Sequence, residues 1–149
     1  MFTRALAVAI CVFGPLPAFA DSAFILFEQA KCLRDNADRY LEVIDGPTLV
    51  FPGFCEEGIF SPTPEEIARA TSQNSGYGAS IISFDYVSPD AGDSVGEFPA
   101  NSKAAILVLS PELMTCLRDR FDEVSLLHRP EVPDLGPVEV AELIFARCR

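Results

Sequence analysis

Apolar residues at Leu26, Ala30, Leu33, Ala37, Tyr40, Leu41 and Ile44 recur at steps of three and four, which predicts one helix from about Ser22 to Ile44. Gly46-Pro47 ends it, and Thr48-Leu49-Val50-Phe51 is a short β-prone run closed by Pro52-Gly53. Thr63-Pro64-Glu65-Glu66 has the form of a capping box with a first-turn proline, so a short helix is expected from Pro64 to about Ser72. Ile82, Phe84 and Tyr86 alternate with polar residues, which predicts a half-buried strand over 80–87, and the unbroken apolar run Ala104 to Leu109 suits a strand covered on both faces. Between them, Ser88 to Lys103 carries two prolines and two glycines and reads as a long loop. Ser110-Pro111-Glu112 caps a further helix with a stripe of Leu113, Leu117, Phe121 and Val124, ending before Arg129-Pro130. In the last segment, 137–148, Val138 and Val140 alternate as in a strand, whereas Val140, Leu143, Ile144 and Cys148 fit a helix; we read helix. The expected fold is a small α+β domain: strands 48–52, 80–87 and 104–109 in one sheet, packed by two longer helices and one or two short ones.

The first twenty of the 149 residues change the picture of where this domain works. Arg4 forms a positive start, Ala5 to Phe13 an apolar stretch, Gly14-Pro15 a helix break and Ala18-Phe19-Ala20 a small-x-small site. Cleavage after Ala20 is expected, leaving a single domain over 21–149. The leader resembles bacterial secretory leaders, which implies a periplasmic or secreted protein. Cys11 follows Ile10 where a lipoprotein site needs a small residue, and the apolar stretch is too short to span a bilayer, so no membrane insertion of the mature chain is expected.

With 22 acidic and 11 basic residues the chain carries a net charge of −11, and its basic residues are scattered. Phosphate backbones would repel it, which argues against nucleic-acid partners. Four cysteines follow the leader, an even number in an exported chain, so two disulfides are expected. Three pairings are possible. Cys32-Leu33-Arg34-Asp35 with Asp38 matches Cys116-Leu117-Arg118-Asp119 with Asp122, and each stretch is followed by a Gly-Pro pair and then a second cysteine. Read as two copies, these imply a pseudo-twofold α+β unit, since a solenoid needs at least three repeats. Pairing within each copy gives Cys32 with Cys55 and Cys116 with Cys148.

Candidate chemistry is sparse. The single histidine, His128, lies four residues after Val124 and is read as a helix C-terminal cap. The cysteine spacings of 23, 61 and 32 contain none of the short pairs that zinc sites use, so no metal site is expected. Gly92-Asp93-Ser94-Val95-Gly96 resembles the stretch around the nucleophile of trypsin-like serine proteases, and its Gly-Asp-Ser resembles the opening motif of the GDSL esterases. The first resemblance implies an upstream histidine and the second a terminal Asp-x-x-His; here the histidine is downstream and follows Ser125-Leu126-Leu127. Asp85, Asp90, Asp93 and Glu97 offer hard oxygen donors, but not at the spacing of an EF-hand. Val50 to Cys55 resembles the strand that delivers the reactive thiol in thioredoxins and peroxiredoxins. There is no Cys-x-x-Cys, Pro52 stands three residues before Cys55, and Glu56 and Glu57 would raise a thiol's pKa.

No nucleophile and base pair, cofactor loop or metal-ligand spacing emerges, and no cofactor is expected. The reading is a small acidic exported module that binds a protein or small ligand without catalysis. The alternative is a small exported enzyme, a hydrolase with Asp90, Asp93 and Ser94 in the 88–103 loop or a thiol oxidoreductase at Cys55.

Overall fold

The computed structural model describes residues 21–72, 81–88 and 92–149; the leader and Asp90 lie outside the described residues. Strand β1 (Ser22–Leu26) leads into helices α1 (Phe27–Asp35) and α2 (Ala37–Val43), then strand β2 (Thr48–Val50) and a 3-10 helix, Pro52–Glu57. Helix α3 (Pro64–Ser72) precedes a hairpin of β3 (Ile81–Ser88) and β4 (Gly92–Pro99). Strand β5 (Leu107–Leu109), helices α4 (Pro111–Asp119) and α5 (Phe121–Val124) and strand β6 (Ser125–His128) follow. The chain closes with the short ladder of β7 (Glu131–Val132) and β8 (Gly136–Pro137), strand β9 (Val140–Ile144) and a 3-10 helix, Phe145–Cys148. The fold is α+β, with one three-stranded antiparallel sheet in the order β1-β9-β6 and three two-stranded ladders, β2–β5, β3–β4 and β7–β8.

The echo between the two halves has a counterpart in space. Each half runs from a strand through a Cys-Leu-Arg-Asp helix and a short second helix to a left-handed glycine (Gly46, φ 98°; Gly136, φ 75°), a strand, and a 3-10 helix carrying a cysteine. The halves exchange strands: β1 of the first pairs with β9 of the second, and β5 of the second pairs with β2 of the first. Both helix breaks are made alike, Asn36 N–H donating to the Cys32 carbonyl at 3.0 Å and Arg120 N–H to the Cys116 carbonyl at 2.8 Å. Asn36 adds a side-chain bond to that same Cys32 carbonyl (3.0 Å), the local competition that ends a helix at asparagine. Arg34 and Arg118 each hold the following aspartate at 2.7 Å, and Arg118 also reaches across to Asp38 at 2.7 Å. In the reciprocal direction, the hydrogen bond to Asp35 keeps the Arg34 guanidinium above its ordinary value and the field of Asp122 adds to it. Disulfides join Cys32 to Cys55 and Cys116 to Cys148, with Cα separations of 6.1 and 5.8 Å. Each therefore staples a half's helix to its own closing 3-10 helix.

Helix α3 begins as the capping box foretells. Thr63 N–H and hydroxyl donate to Glu66 at 2.7 and 2.9 Å, and these bonds hold the Glu66 carboxyl below the usual range.

Several sequence expectations are corrected, among them the single helix to Ile44, which Asn36 divides into α1 and α2. Ser22–Leu26 is strand, because the apolar run Ala23 to Phe27 is covered on both faces and pairs with β9; the helical stripe starts in earnest at Phe27. The helix after Ser110 stops at Val124, and Ser125–His128 pairs with β9, so His128 lies on a strand and caps no helix. The 137–148 segment is strand and 3-10 helix; β9 is the sheet's middle strand, and its burial on both faces erases the period-2 signal. The 88–103 segment is largely strand β4, whose inward positions Gly92, Ser94 and Gly96 give no apolar alternation. The three expected strands exist, the third shortened to Leu107–Leu109 and, with Val108 exposed, covered on one face only, but β2 pairs with β5 and β3 with β4; the three-stranded sheet is built from segments read as helix.

The sheet separates two cores. Ile25, Ala141 and Leu143 face the main core with Leu33, Tyr40, Leu109, Met114 and Leu117. Phe24, Leu26 and Val140 face the hairpin, packing with Phe84, Phe98 and Val132. Gly96 lies directly opposite Phe84, and a Cβ there would sit 2.5 Å from the Phe84 ring. Gly96→Ala is therefore expected to lower stability by about 1–3 kcal/mol, read by urea unfolding, because the ring must leave its place. In the main core, Tyr40 stacks edge-on against Phe60 at 5.0 Å, and its hydroxyl finds no hydrogen-bond partner among the described residues. Burial pushes its phenol up to about 12. The unfolded chain, with an ordinary tyrosine near 10, ionises first, so stability should fall as pH rises above 10. Tyr40→Phe should remove that component and gain up to about 1 kcal/mol at neutral pH.

Candidate functional site

Glu142 interrupts the apolar run of β9 at a position that is 6% exposed, a rare place for a carboxylate. Register places it between Phe24 of β1 and Leu126 of β6, on the sheet face beneath the hairpin. His128, two residues beyond Leu126 on the same face, brings its Nε2 to 3.1 Å from Glu142 Oε2. Three rings surround the imidazole: Tyr86 at 4.8 Å, Phe84 at 5.5 Å and Phe24 at 6.0 Å between centroids. This is an oriented histidine–carboxylate pair in an aromatic enclosure, able to hold or relay a proton and able to pin β6 and β9 beneath the hairpin.

Ser94 reaches the edge of this enclosure. It lies directly opposite Tyr86 on the inward face of β4, half-buried, with its hydroxyl 3.5 Å from the Gly92 carbonyl. Asp93, one residue earlier, points outward opposite Val87, so strand alternation separates it from Ser94. Asp85 and Glu97 share the outward face with Asp93, all three exposed, and no three potential ligands are grouped to hold a metal ion among the described residues. Cys55 is buried at 3% exposure within its disulfide. No family model, curated protein or solved structure matches this chain.

Sequence reasoning missed Glu142, Tyr86 and Phe24. A single acid flanked by apolar residues, Val140-Ala141-Glu142-Leu143-Ile144, is a signal for a buried carboxylate needing a partner, and His128 is the one imidazole in the chain.

The open surface has a different chemistry. Leu49 and Val108 face each other across the β2–β5 ladder at 57% and 43% exposure, and Ile106, just before β5, is 55% exposed. On the hairpin's outward face, Ile81, Val87 and Val95 are exposed among Ser83, Asp85, Asp93 and Glu97. A groove of about 370 Å³ lies between β1 and the segment entering β5, closed at one end by Glu97 to Pro99 and Ile81.

Proposed function

We propose that this protein is a non-catalytic binding module of an exported compartment, and that it takes a protein partner on its exposed strands. The observation that carries this reading is the concentration of exposed apolar side chains: six of the nine large ones among the described residues, Leu49, Ile81, Val87, Val95, Ile106 and Val108, sit on two-stranded ladders or at the entry to β5. Contiguous apolar surface rimmed by polar groups is costly to leave in water and marks interaction faces. These side chains spread over open strands, which suits a protein better than a small ligand. Export is supported by the two disulfides and by the absence, among the described residues, of a helix long and apolar enough to cross a membrane. The test is capture from a cell-envelope extract by wild type and by the Leu49→Lys, Val108→Lys double variant. One stoichiometric partner, lost in the variant, is expected; equal recovery by both would overturn the reading.

A second reading, a small exported hydrolase, draws on Ser94 lying opposite Tyr86, whose ring packs against His128, the partner of Glu142. It requires the Ser94 hydroxyl to leave the Gly92 carbonyl for the imidazole. Labelling of Ser94 by a fluorophosphonate, abolished in His128→Gln, would place it first. The thiol alternative is weakened because a buried disulfide offers no thiolate.

A further inference from the structure

The groove is bounded by two strand edges. Strand β1 ends the three-stranded sheet, and β5 pairs on one side with β2 alone. Phe27 N–H donates to the Glu139 carbonyl at 2.9 Å, so Phe27 and Glu139 form a hydrogen-bonded pair of the antiparallel ladder. Alternation makes Ile25–Ala141 and Ala23–Leu143 the other bonded pairs and turns the N–H and carbonyl of Phe24 away from β9. Phe24 lines the groove, and its main-chain groups meet no backbone partner among the described residues. Across from it stand Ala105, Ile106 and Leu107. Thus the corresponding first strands of the two halves flank an apolar slot with main-chain groups left open, the arrangement that accepts an added strand. Among the described residues, Glu97 supplies the one charged side chain in its lining, in a chain of net charge −11.

We propose that this groove binds an extended, cationic segment of the partner protein as an added β-strand on β1, apolar side chains seated against Ile106 and Ile81 and a lysine or arginine paired with Glu97. This rests on the binding-module reading and deepens it. Main-chain hydrogen bonds to Phe24 supply affinity, and the alternating side chains supply selectivity. A neutral or acidic strand would leave Glu97 facing no counter-charge in a field that already repels anions.

The test is selection of a displayed random heptapeptide library on the purified protein with both disulfides intact. Enriched peptides should alternate β-branched apolar residues with lysine or arginine. Synthetic copies should lose about tenfold or more in affinity for Ile106→Lys and for Glu97→Lys, both exposed positions whose folding is checked by melting. N-methylation at alternate peptide residues should abolish binding in one register and spare it in the other, while Val43→Lys, exposed at the end of α2 and outside the groove lining, should change nothing. Enrichment of acidic peptides, or binding indifferent to Ile106→Lys, would overturn the proposal. So would concentration-dependent dimerisation lost in Ile106→Lys, which would assign the slot to a second copy. Partner capture that depends on Leu49 and Val108 but is unchanged in Ile106→Lys and Glu97→Lys would leave the binding reading standing and remove this one.

Discussion

Reducing Cys32–Cys55 and Cys116–Cys148 together is expected to unfold the protein at physiological temperature. The bridges close sequence separations of 23 and 32 residues, and in the chain-entropy model loops of that length are worth roughly 3.5 kcal/mol each. A domain of this size has about 5–15 kcal/mol in total, so losing both, about 7 kcal/mol, removes from about half of it to all of it. The architecture adds to the expectation. Because each half lends a strand to the other, the register of β1 on β9 and of β2 on β5 depends on where each half's closing 3-10 helix is held. The bridges are what hold those ends to α1 and α4. Replacing one pair by alanines should lower the melting temperature by on the order of 10 °C, and the second replacement should leave no cooperative transition. Melting within a few degrees of wild type in reductant would show that packing alone suffices.

Glu142→Ala should be the most damaging single substitution on the hairpin side of the sheet. It leaves His128 enclosed by Phe24, Phe84 and Tyr86 without its carboxylate, and a buried hydrogen-bonding group left without its partner costs about 1–3 kcal/mol. Glu142→Gln keeps a hydrogen-bonding group of the same shape and should cost less. The double substitution Glu142→Leu with His128→Phe should recover most of the loss, since apolar replacement of both partners removes the desolvation cost while an aromatic ring still fills the enclosure. Urea unfolding of the four proteins measures this. A Glu142→Ala loss below about 1 kcal/mol would mean that the pair carries no structural role and would favour the proton-relay alternative.

The parts legible in the sequence were those with a local cause. The α3 capping box, the helical stripe from Ala30 to Tyr40, divided into two helices at Asn36, the strand of Ile82, Phe84 and Tyr86 and both disulfide pairings are found where expected. Elements made by tertiary pairing were hidden. Strands β1 and β9 are covered on both faces and so read as helix-compatible apolar runs, and β4 presents Gly96 and Ser94 inward opposite Phe84 and Tyr86, the Phe84 ring filling the space over Gly96. Ser94 was singled out for a motif whose glycines turn out to serve the hairpin: Gly92 takes a left-handed backbone at its start, and Gly96 makes room for Phe84. The buried pair was not legible, since His128 and Glu142 are fourteen residues apart and meet only through strand register.

Hydrogen exchange on the protein with its captured partner tests most directly whether the exposed strands are the working surface. Protection is predicted for β1 and β2 and for the 104–109 segment, with His128, Glu142 and the inward face of the hairpin unchanged. Protection confined to the enclosure around His128 and Glu142, with the ladders still exchanging freely, would contradict it.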